Sequence, residues 1–352
     1  MPLQSTGAIS FSDIQTEFGG VNPIEIDEYY QNSVTTYTSG VADIPNTSVA
    51  ISLNMFYSKS KLNNEPVQSI VAGTDVYLRG KYILIGCNQY GTLGGYNAIT
   101  GLNPSVSLSS STPAIVFNPN GLSSISINPD YTFPGTPVDG WVLGVNSSIN
   151  ITNDRGGTNN LIGSVTNKSS GILLKSEWIG TYTANSLNIT IKIIYEFNNT
   201  DTYYKFTYTI TNNTSTALSN VMFVKTLDPD NDQYLGGSYT TLNGANNTTN
   251  IAMAYAISTG GNLLNSARVP TIYIASKEGT ISQGGYGGFS ISNAYSPGYN
   301  FTTNVGSELS GDIAIGVRTS IGTINGNSSV TKVIYIGYWN STTNPPNPTL
   351  PN

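Results

Sequence analysis

The central part of the chain alternates apolar and polar positions with a period of two. In residues 187–197 every odd position is apolar and most even positions are polar, and residues 204–211 repeat this pattern. Such alternation is typical of a strand with one buried and one exposed face. Because a turn-forming Asn-Asn-Thr-Asp cluster separates the two runs, we predict a long antiparallel hairpin, which residues 221–227 extend into a three-strand meander.

Similar strand-like segments follow one another through residues 65–340, with Gly, Asn, Ser and Pro between them. They are residues 67–72, 75–85, 114–117, 124–127, 140–145, 171–178, 251–257, 269–276, 312–318 and 330–339. A helical period of 3.6 never persists there for more than about two turns. The pattern predicts an all-β domain over residues 65–340, built as a large antiparallel β-sandwich of two sheets with roughly six strands each. Two stacked smaller sandwiches are the alternative.

The two ends of the chain follow other patterns. Residues 1–62 contain two short helix-like segments, 12–18 and 26–30, and Ser12 with Gln15 has the spacing of a capping box. Helices this short are marginal alone, so we expect tertiary or intersubunit packing to hold a small N-terminal arm. Residues 341–352 are rich in proline, which predicts an extended tail outside the sheets.

Composition narrows the chemistry available to the chain. Only 10% of residues are charged, against about 25% in an average protein, and histidine is absent. The lack of histidine excludes Ser-His and Cys-His catalysis, and we expect a protein that is not an enzyme. The 14 Lys and Arg are scattered and the formal net charge is −6, which argues against a nucleic-acid partner. The single Cys87 cannot form an intrachain disulfide and is typical of a core position.

The N-terminus has neither a basic nor an apolar region of the kind found in signal peptides. No stretch approaches the roughly 18 consecutive apolar residues of a membrane-spanning helix. We therefore expect no visible signal peptide, no transmembrane segment and no membrane insertion.

The best candidate for a metal site is the acidic run that follows a predicted strand. Asp228, Asp230 and Asp232 occupy alternating positions, as acidic ligands do in the first half of an EF-hand loop, so Ca²⁺ is the candidate cofactor. Gln233 stands where an EF-hand has its glycine, and Tyr239 stands where it has its bidentate glutamate. The alternative is that these aspartates make Asx turns between strands.

Several weaker features of the sequence would suit a protein that hydrolyses, binds or carries carbohydrate. Paired carboxylates of a glycosidase would come from Glu177, Glu196, Glu278 and Asp130, although the sequence does not place any two of them together. Exposed aromatic rings can stack on sugars, and the candidates are Tyr29, Tyr30, Tyr90, Tyr96, Tyr295 and Tyr299. Candidate N-glycosylation sequons begin at Asn146, Asn150, Asn188, Asn213, Asn247, Asn300, Asn327 and Asn340.

The first sixty residues carry a more specific resemblance. The segment 7–20 (GAISFSDIQTEFGG), followed by Asn22-Pro23-Ile24, Glu28-Tyr29-Tyr30, Ile44-Pro45 and residues 51–57, resembles a segment at the start of structural proteins of tailed bacteriophages and large algal viruses. In that family the segment is taken as an attachment or assembly module. It normally closes with Asp-Phe-Tyr-Gly, where this chain has Met55, Phe56, Tyr57 and Ser58.

The resemblance implies a structural subunit of a virion-associated or extracellular fibre that assembles with copies of itself through residues 1–62. The assembly contacts expected from it are Ile9, Phe11, Ile14, Phe18, Ile26, Tyr29, Tyr30, Phe56 and Tyr57. Scarce charge on the strands also suits edges that pair with neighbours. The alternative function is a carbohydrate-binding adhesin with surface glycans as partners, and a polysaccharide hydrolase is a third hypothesis.

Overall fold

The chain divides into two compact units, Met1–Glu65 and Pro66–Asn352. The computed structural model describes residues 4, 6–18, 23, 25–30, 44, 50–57, 67–102, 107–119, 121–122, 128, 130–132, 139–231, 239–258, 270–289, 291–296, 301, 307–340 and 350. In this part of the chain, no helix is long and apolar enough to cross a membrane.

The first unit contains helix α1 (Phe11–Phe18) and two short 3₁₀ helices, Ile26–Tyr29 and Leu53–Phe56. The predicted capping box at Ser12 and Gln15 is wrong, because the reciprocal pair lies two residues earlier, at Ser10 and Asp13. The backbone N–H of Asp13 donates to Ser10 Oγ at 3.1 Å, and the backbone N–H of Ser10 donates to Asp13 Oδ2 at 2.8 Å. Asp13 at the third helical position therefore closes the box that the sequence assigned to Gln15.

The first unit has a hydrophobic core of its own. Phe56 lies at its centre and makes edge-on contacts with Phe18 and Tyr29, with ring centroids 5.8 and 6.0 Å apart. All three rings are fully buried. The packing that these short helices need is therefore supplied within the unit itself.

The second unit is built from strands, which confirms the all-β prediction for this part of the chain. Their bounds are β1 (Gln68–Ala72), β2 (Asp75–Arg79), β3 (Ile83–Cys87), β4 (Ile115–Phe117), β5 (Asp139–Val145), β6 (Ile149–Asp154), β7 (Ser164–Asn167), β8 (Leu173–Tyr182), β9 (Ile189–Asn198), β10 (Tyr203–Asn212), β11 (Leu218–Leu227), β12 (Thr241–Asn247), β13 (Ala252–Ser258), β14 (Pro270–Ser276), β15 (Ser282–Gly287), β16 (Glu308–Gly311), β17 (Ala314–Ile324) and β18 (Ser328–Asn340).

These strands form three antiparallel sheets. The largest has nine strands in the order β16-β12-β13-β14-β18-β10-β9-β8-β7, and a five-stranded sheet has the order β15-β17-β11-β5-β6. The inner faces of these two sheets share one hydrophobic core, so they form the large antiparallel sandwich expected from the sequence. A four-stranded sheet, β1-β2-β3-β4, contributes side chains to the same core.

The predicted hairpin is confirmed, but the predicted meander is wrong. β10 pairs with β9 from Lys205 opposite Glu196 to Asn212 opposite Ile189. On its other edge β10 pairs with β18, whereas β11 crosses to the five-stranded sheet and lies between β5 and β17. The Asn212 side chain anchors this crossing, because its Nδ2 donates to the carbonyls of Thr216 at 2.8 Å and Asn325 at 3.1 Å.

Aromatic rings fill the space between the two large sheets. Phe223 of β11 stacks on Tyr208 of β10 with centroids 3.9 Å apart, and Trp141 of β5 lies 5.7 Å from Trp178 of β8. The glycine-rich turn after β3 crosses this core closely. At Gly91 φ is +69°, and a Cβ there would lie 2.7 Å from the Trp178 ring, so both conformation and space favour glycine.

Other strand predictions differ from the structure in detail. Residues 75–85 form two strands, because a turn in which the N–H of Gly80 donates to the carbonyl of Ile83 separates β2 from β3. The segment 124–127 lies outside the described residues, as does the predicted extended tail 341–352 apart from Leu350. Leu350 is buried in an apolar cluster with Tyr255, Tyr273 and Tyr335.

Candidate metal centre

The acidic run after β11 meets the start of β17. Leu227, the last residue of β11, lies opposite Ile315 of β17, so the loop after β11 is beside the residues that precede β17. Two contacts anchor this loop. The N–H of Asp230 donates to the carbonyl of Tyr131 at 2.7 Å, and Asn231 Nδ2 donates to the carbonyl of Ala256 at 3.0 Å.

This arrangement brings three carboxylates together. One oxygen from each of Asp228, Asp230 and Asp312 lies within 4.8 Å of the other two. Asp228 and Asp230 are only 2% and 1% exposed, whereas Asp312 is an exposed residue. Two of the three aspartates predicted as ligands thus lie close together, and Asp232 lies outside the described residues.

Asp312 is the ligand candidate that the sequence reasoning missed. It falls in a segment predicted as a strand, far along the chain from Asp228, and nothing in its neighbours marks it as a ligand. The antiparallel pairing of β11 with β17 brings it to the cluster. Asp312 could be predicted as a ligand only if the pairing of β11 with β17 were already known.

The electrostatics of the cluster disfavour three free negative charges. Burial, followed by the charges of Asp230, Asp312 and Asp154, raises the pKa of Asp228 to about 8. Burial also raises the pKa of Asp312. Asp228 Oδ1 has no hydrogen-bond partner among the described residues. A buried carboxylate without a donor is stabilised either by a proton or by a cation.

A buried ion pair lies close to the cluster. Lys225, on the same strand as Leu227, donates from Nζ to Asp139 Oδ1, and both side chains are fully buried. Burial lowers the pKa of Lys225 and raises that of Asp139, while each charge opposes the shift of the other. Asp154 is 5% exposed, and its Oδ1 has no hydrogen-bond partner within the described chain. Burial, followed by the charge of Asp139, raises the pKa of Asp154 to about 7.

The carboxylate oxygens of the cluster are ligands that suit a hard cation. Carboxylate oxygens are the ligands that Ca²⁺ prefers, and it accepts six to eight of them in flexible geometry. One oxygen from each of the three aspartates would supply three of these ligands. Their mutual repulsion, about 3 kcal/mol per pair at 4.8 Å and an effective dielectric constant near 20, would be relieved by a divalent ion.

The residues predicted as assembly contacts mostly belong to the core of the first unit. Ile9, Ile14, Phe18, Tyr29 and Phe56 are buried there, and Ile26 and Tyr57 pack against them. Tyr30 is half-buried. Phe11 is 41% exposed, which makes it the member of the set with the most accessible apolar surface.

The tyrosines considered for sugar stacking differ widely in exposure. Tyr29 is buried, Tyr90 is half-buried and Tyr96 is 43% exposed. The Tyr295 hydroxyl donates to the carbonyl of Asn220 at 2.7 Å, and Tyr299 lies outside the described residues. Tyr96 is therefore the most accessible of these rings in the described part of the chain.

The sequons also separate by environment. Asn146, Asn188, Asn213 and Asn327 are exposed, whereas Asn150 and Asn247 are half-buried. The half-buried pair accept backbone hydrogen bonds: Asn150 Oδ1 from the N–H of Ala294 and Asn247 Oδ1 from the N–H of Gly284. Asn300 and the side chain of Asn340 lie outside the described residues.

Comparison with known proteins gives structural likeness alone. No family model matches the chain, and no curated protein matches it. A galactose mutarotase-like protein from Clostridium acetobutylicum is 11% identical, covering 78% of this chain and 98% of its own, with a TM-score of 0.37. Galactose 1-epimerase from Lactobacillus acidophilus is also 11% identical, covering 75% and 94%, with a TM-score of 0.36.

A heparan sulfate lyase from Pedobacter heparinus shows the same degree of likeness. It is 9% identical over 82% of this chain and 39% of its own, with a TM-score of 0.39. At these scores the likeness is loose, and we attach no activity to it.

Proposed function

We propose that this protein is a Ca²⁺-binding β-sandwich protein that acts by binding rather than by catalysis. The observation that carries the proposal is the Asp228 carboxylate, which is 2% exposed and lies within 4.8 Å of two further carboxylates. Its Oδ1 accepts no hydrogen bond from the described residues. A bound cation would replace the missing donors and neutralise the charge.

The role of the ion is to join distant parts of the sandwich. Asp228 and Asp230 follow β11, and Asp312 lies between β16 of the nine-stranded sheet and β17 of the five-stranded sheet. A cation shared by these residues would fasten the two sheets together at this end. Because it binds the folded state, it would add to the free energy of unfolding by mass action.

Isothermal titration of the chelator-treated full chain with CaCl₂ tests the proposal. We expect one bound ion and a rise in melting temperature of about 5 °C at a hundredfold excess over Kd, since that excess adds about 2.7 kcal/mol. Mg²⁺ should bind more weakly, because it demands stricter octahedral geometry.

Two variants make this test specific. Asp228→Asn should weaken Ca²⁺ binding at least tenfold, whereas Glu177→Gln, on the outer face of β8, should leave it unchanged. No heat of binding and no thermal shift with the unmodified chain would overturn the proposal. So would an Asp228→Asn variant that binds as tightly as the original.

The carboxylates considered for a glycosidase give little support to catalysis. Glu196 pairs with Lys175 at 3.1 Å, and Glu278 pairs with Lys332 at 2.7 Å. Asp130 is buried and accepts backbone N–H groups from Ala114 and Thr132. Carboxyl groups held in this way are poorly placed to serve as the free acid and base of such an enzyme.

Carbohydrate binding is a second candidate function, and the Tyr96 ring favours it. The Arg155 guanidinium lies 4.0 Å from the centroid of this ring, and Arg155 donates to the carbonyls of Gly94 and Gly95. Tyr90 packs edge-on at 5.6 Å. The ring is thus exposed and already fixed, so stacking a sugar on it would cost little conformational entropy.

A glycan array with the full chain tests this candidate. We expect bound glycans to lose about three- to tenfold in affinity with Tyr96→Ala, as stacking is worth roughly 0.5–1.5 kcal/mol. Tyr239→Ala is the matched control, since Tyr239 has nearly the same exposure, 44%. An array without hits, or equal losses in both variants, would count against carbohydrate binding through this ring.

A further inference from the structure

A pocket opens on the outer face of the five-stranded sheet, away from the acidic cluster's loop. Its volume is about 410 Å³, within the roughly 300–1,000 Å³ usual for small-molecule sites. Met222 of β11, Gln283 of β15, and Arg318 and Ser320 of β17 line it, together with Thr280 and Ile281. Alternation along β17 explains the composition, because Val317 and Thr319 face the core while Arg318 and Ser320 face outward.

Arg318 is held in a defined orientation in this pocket. It is half-buried, and its Nη2 donates to Gln283 Oε1 at 2.8 Å. Its guanidinium carbon lies 4.7 Å from the centroid of the Phe301 ring. A guanidinium fixed by one neutral acceptor and one ring keeps most of its five N–H donors for another group.

No carboxylate in the described part of the chain forms an ion pair with Arg318. Glu278, which precedes the lining residue Gly279 in the chain, is already paired with Lys332. Burial lowers the pKa of Arg318, and no neighbouring negative charge offsets that shift. A half-buried cation without an anionic partner is stabilised when a ligand brings one.

The other lining groups define what such a ligand would look like. Thr280 and Ser320 offer hydroxyls and Gln283 an amide, while Met222 and Ile281 offer apolar surface. This mixture suits a ring that carries both hydroxyl groups and C–H faces. Combined with the guanidinium, it fits a sugar that also bears a carboxylate.

We propose that this pocket binds an acidic sugar of the uronic acid class, with its carboxylate on Arg318 and its hydroxyls near Gln283, Thr280 and Ser320. The site shares no residue with the acidic cluster or with the Tyr96 ring. Its failure and the failure of the Ca²⁺ proposal are therefore separate outcomes.

Saturation-transfer NMR and titration of the full chain with glucuronate test this proposal. Glucose is the matched neutral probe and acetate the matched simple carboxylate. We expect glucuronate to bind at least tenfold more tightly than either. If acetate binds as tightly as glucuronate, the site binds carboxylates without recognising the sugar. If glucose binds as tightly as glucuronate, the charge does not contribute to binding. Either result overturns the proposal.

Variants locate the binding in this pocket. Arg318→Gln should lower glucuronate affinity at least tenfold, whereas Lys205→Gln, on the outer face of the other large sheet, should not change it. Ser320→Trp fills the pocket without touching the charge, and it should also abolish binding. This second variant still tests the proposal if Arg318→Gln does not fold. Unchanged glucuronate affinity in a folded Ser320→Trp protein would show that the sugar does not bind in this pocket.

Discussion

Single buried residues in this sandwich are governed by whether their polar atoms have partners. Asn212 is buried with several hydrogen bonds, so its burial costs little. Backbone N–H groups also donate to the buried Asp130, and they offset part of the effect by which burial raises its pKa. Asp154 is the contrasting case, since its Oδ1 accepts no hydrogen bond from the described residues. Such a carboxyl group destabilises the folded state when it is ionised and much less when it is protonated.

Asp154 should make stability depend on pH. Its pKa is raised to about 7 in the folded chain, mainly by burial, against about 3.9 when unfolded. Between these values the folded state binds more protons at this group than the unfolded state, so the contribution of Asp154 to the free energy of unfolding falls as pH rises from about 4 to 7 and is constant above. Asp154→Asn should make the measured fall shallower, because only Asp228 and the other buried carboxyls then contribute to it, and should stabilise the protein at pH 8 by on the order of 2–4 kcal/mol.

Urea denaturation at pH 5, 6, 7 and 8, in buffer stripped of divalent ions, measures this effect. Glu177→Gln serves as the control, because that residue lies on the outer face of β8. If Asp154→Asn and the unmodified chain show parallel pH profiles, the buried carboxylate does not control the pH dependence.

At the scale of elements, β11 is covered on both faces over its second half. Phe223 faces the aromatic core, while Val224 packs beneath Ile291, Ala294 and Phe301 on the outer face. β11 also carries the buried Lys225, which pairs with Asp139 of the neighbouring β5. The ion pair thus links β11 and β5, two neighbouring strands of the five-stranded sheet.

Breaking that pair should be strongly destabilising. Lys225→Met leaves Asp139 buried without its counter-charge, and we expect a loss of about 3–5 kcal/mol in the free energy of unfolding. The double variant Lys225→Met with Asp139→Asn should recover most of it, because no unpaired charge is left.

Lys175→Met is the matched control for the ion pair. Lys175 and Glu196 also pair across neighbouring strands, but their side chains are 28% and 24% exposed, so the loss should be below about 1 kcal/mol. Chemical denaturation of the three variants measures the difference. Similar losses for Lys225→Met and Lys175→Met would show that burial does not set the strength of the pair.

At the scale of the whole molecule, the chain divides into two units with separate hydrophobic cores. The first unit closes its own core around Phe56, and the sandwich closes another between its sheets. Assembly into a fibre through the first unit is our proposal from the viral resemblance of that segment. The separate cores allow it to be tested without disturbing the sandwich.

Deleting residues 1–65 should leave a folded sandwich that no longer assembles. We expect residues 66–352 to keep their β-type circular dichroism and their Ca²⁺ response, since the acidic cluster lies wholly within them. Full-length protein should form oligomers by light scattering and filaments by electron microscopy.

A point variant sharpens the deletion test. Phe11→Ser removes the exposed ring of the first unit and should reduce assembly, whereas Tyr239→Ala, an exposed ring of the second unit, should not. A monomeric full-length chain, or a deletion variant that still forms the same polymer, would contradict an assembly role for this unit.

The sequence by itself determined the class of fold and the limits of the chemistry. Period-two alternation fixes which face of each strand is buried, so the β9–β10 hairpin and the sandwich follow from it. The absence of histidine excludes its catalytic chemistry whatever the fold. The acidic run was visible because its ligand types are adjacent in the chain, so Asp228 and Asp230 could be named.

Only the tertiary structure decided which strands are neighbours. Alternation gives a strand two faces but does not name the strands at its edges, which is why β11 was assigned to the wrong sheet. The same information was needed to bring Asp312 to Asp228 and to form the Arg318 pocket from β11, β15 and β17. Sites built from several strands depend on which distant segments pair with one another. Local sequence patterns do not specify that pairing.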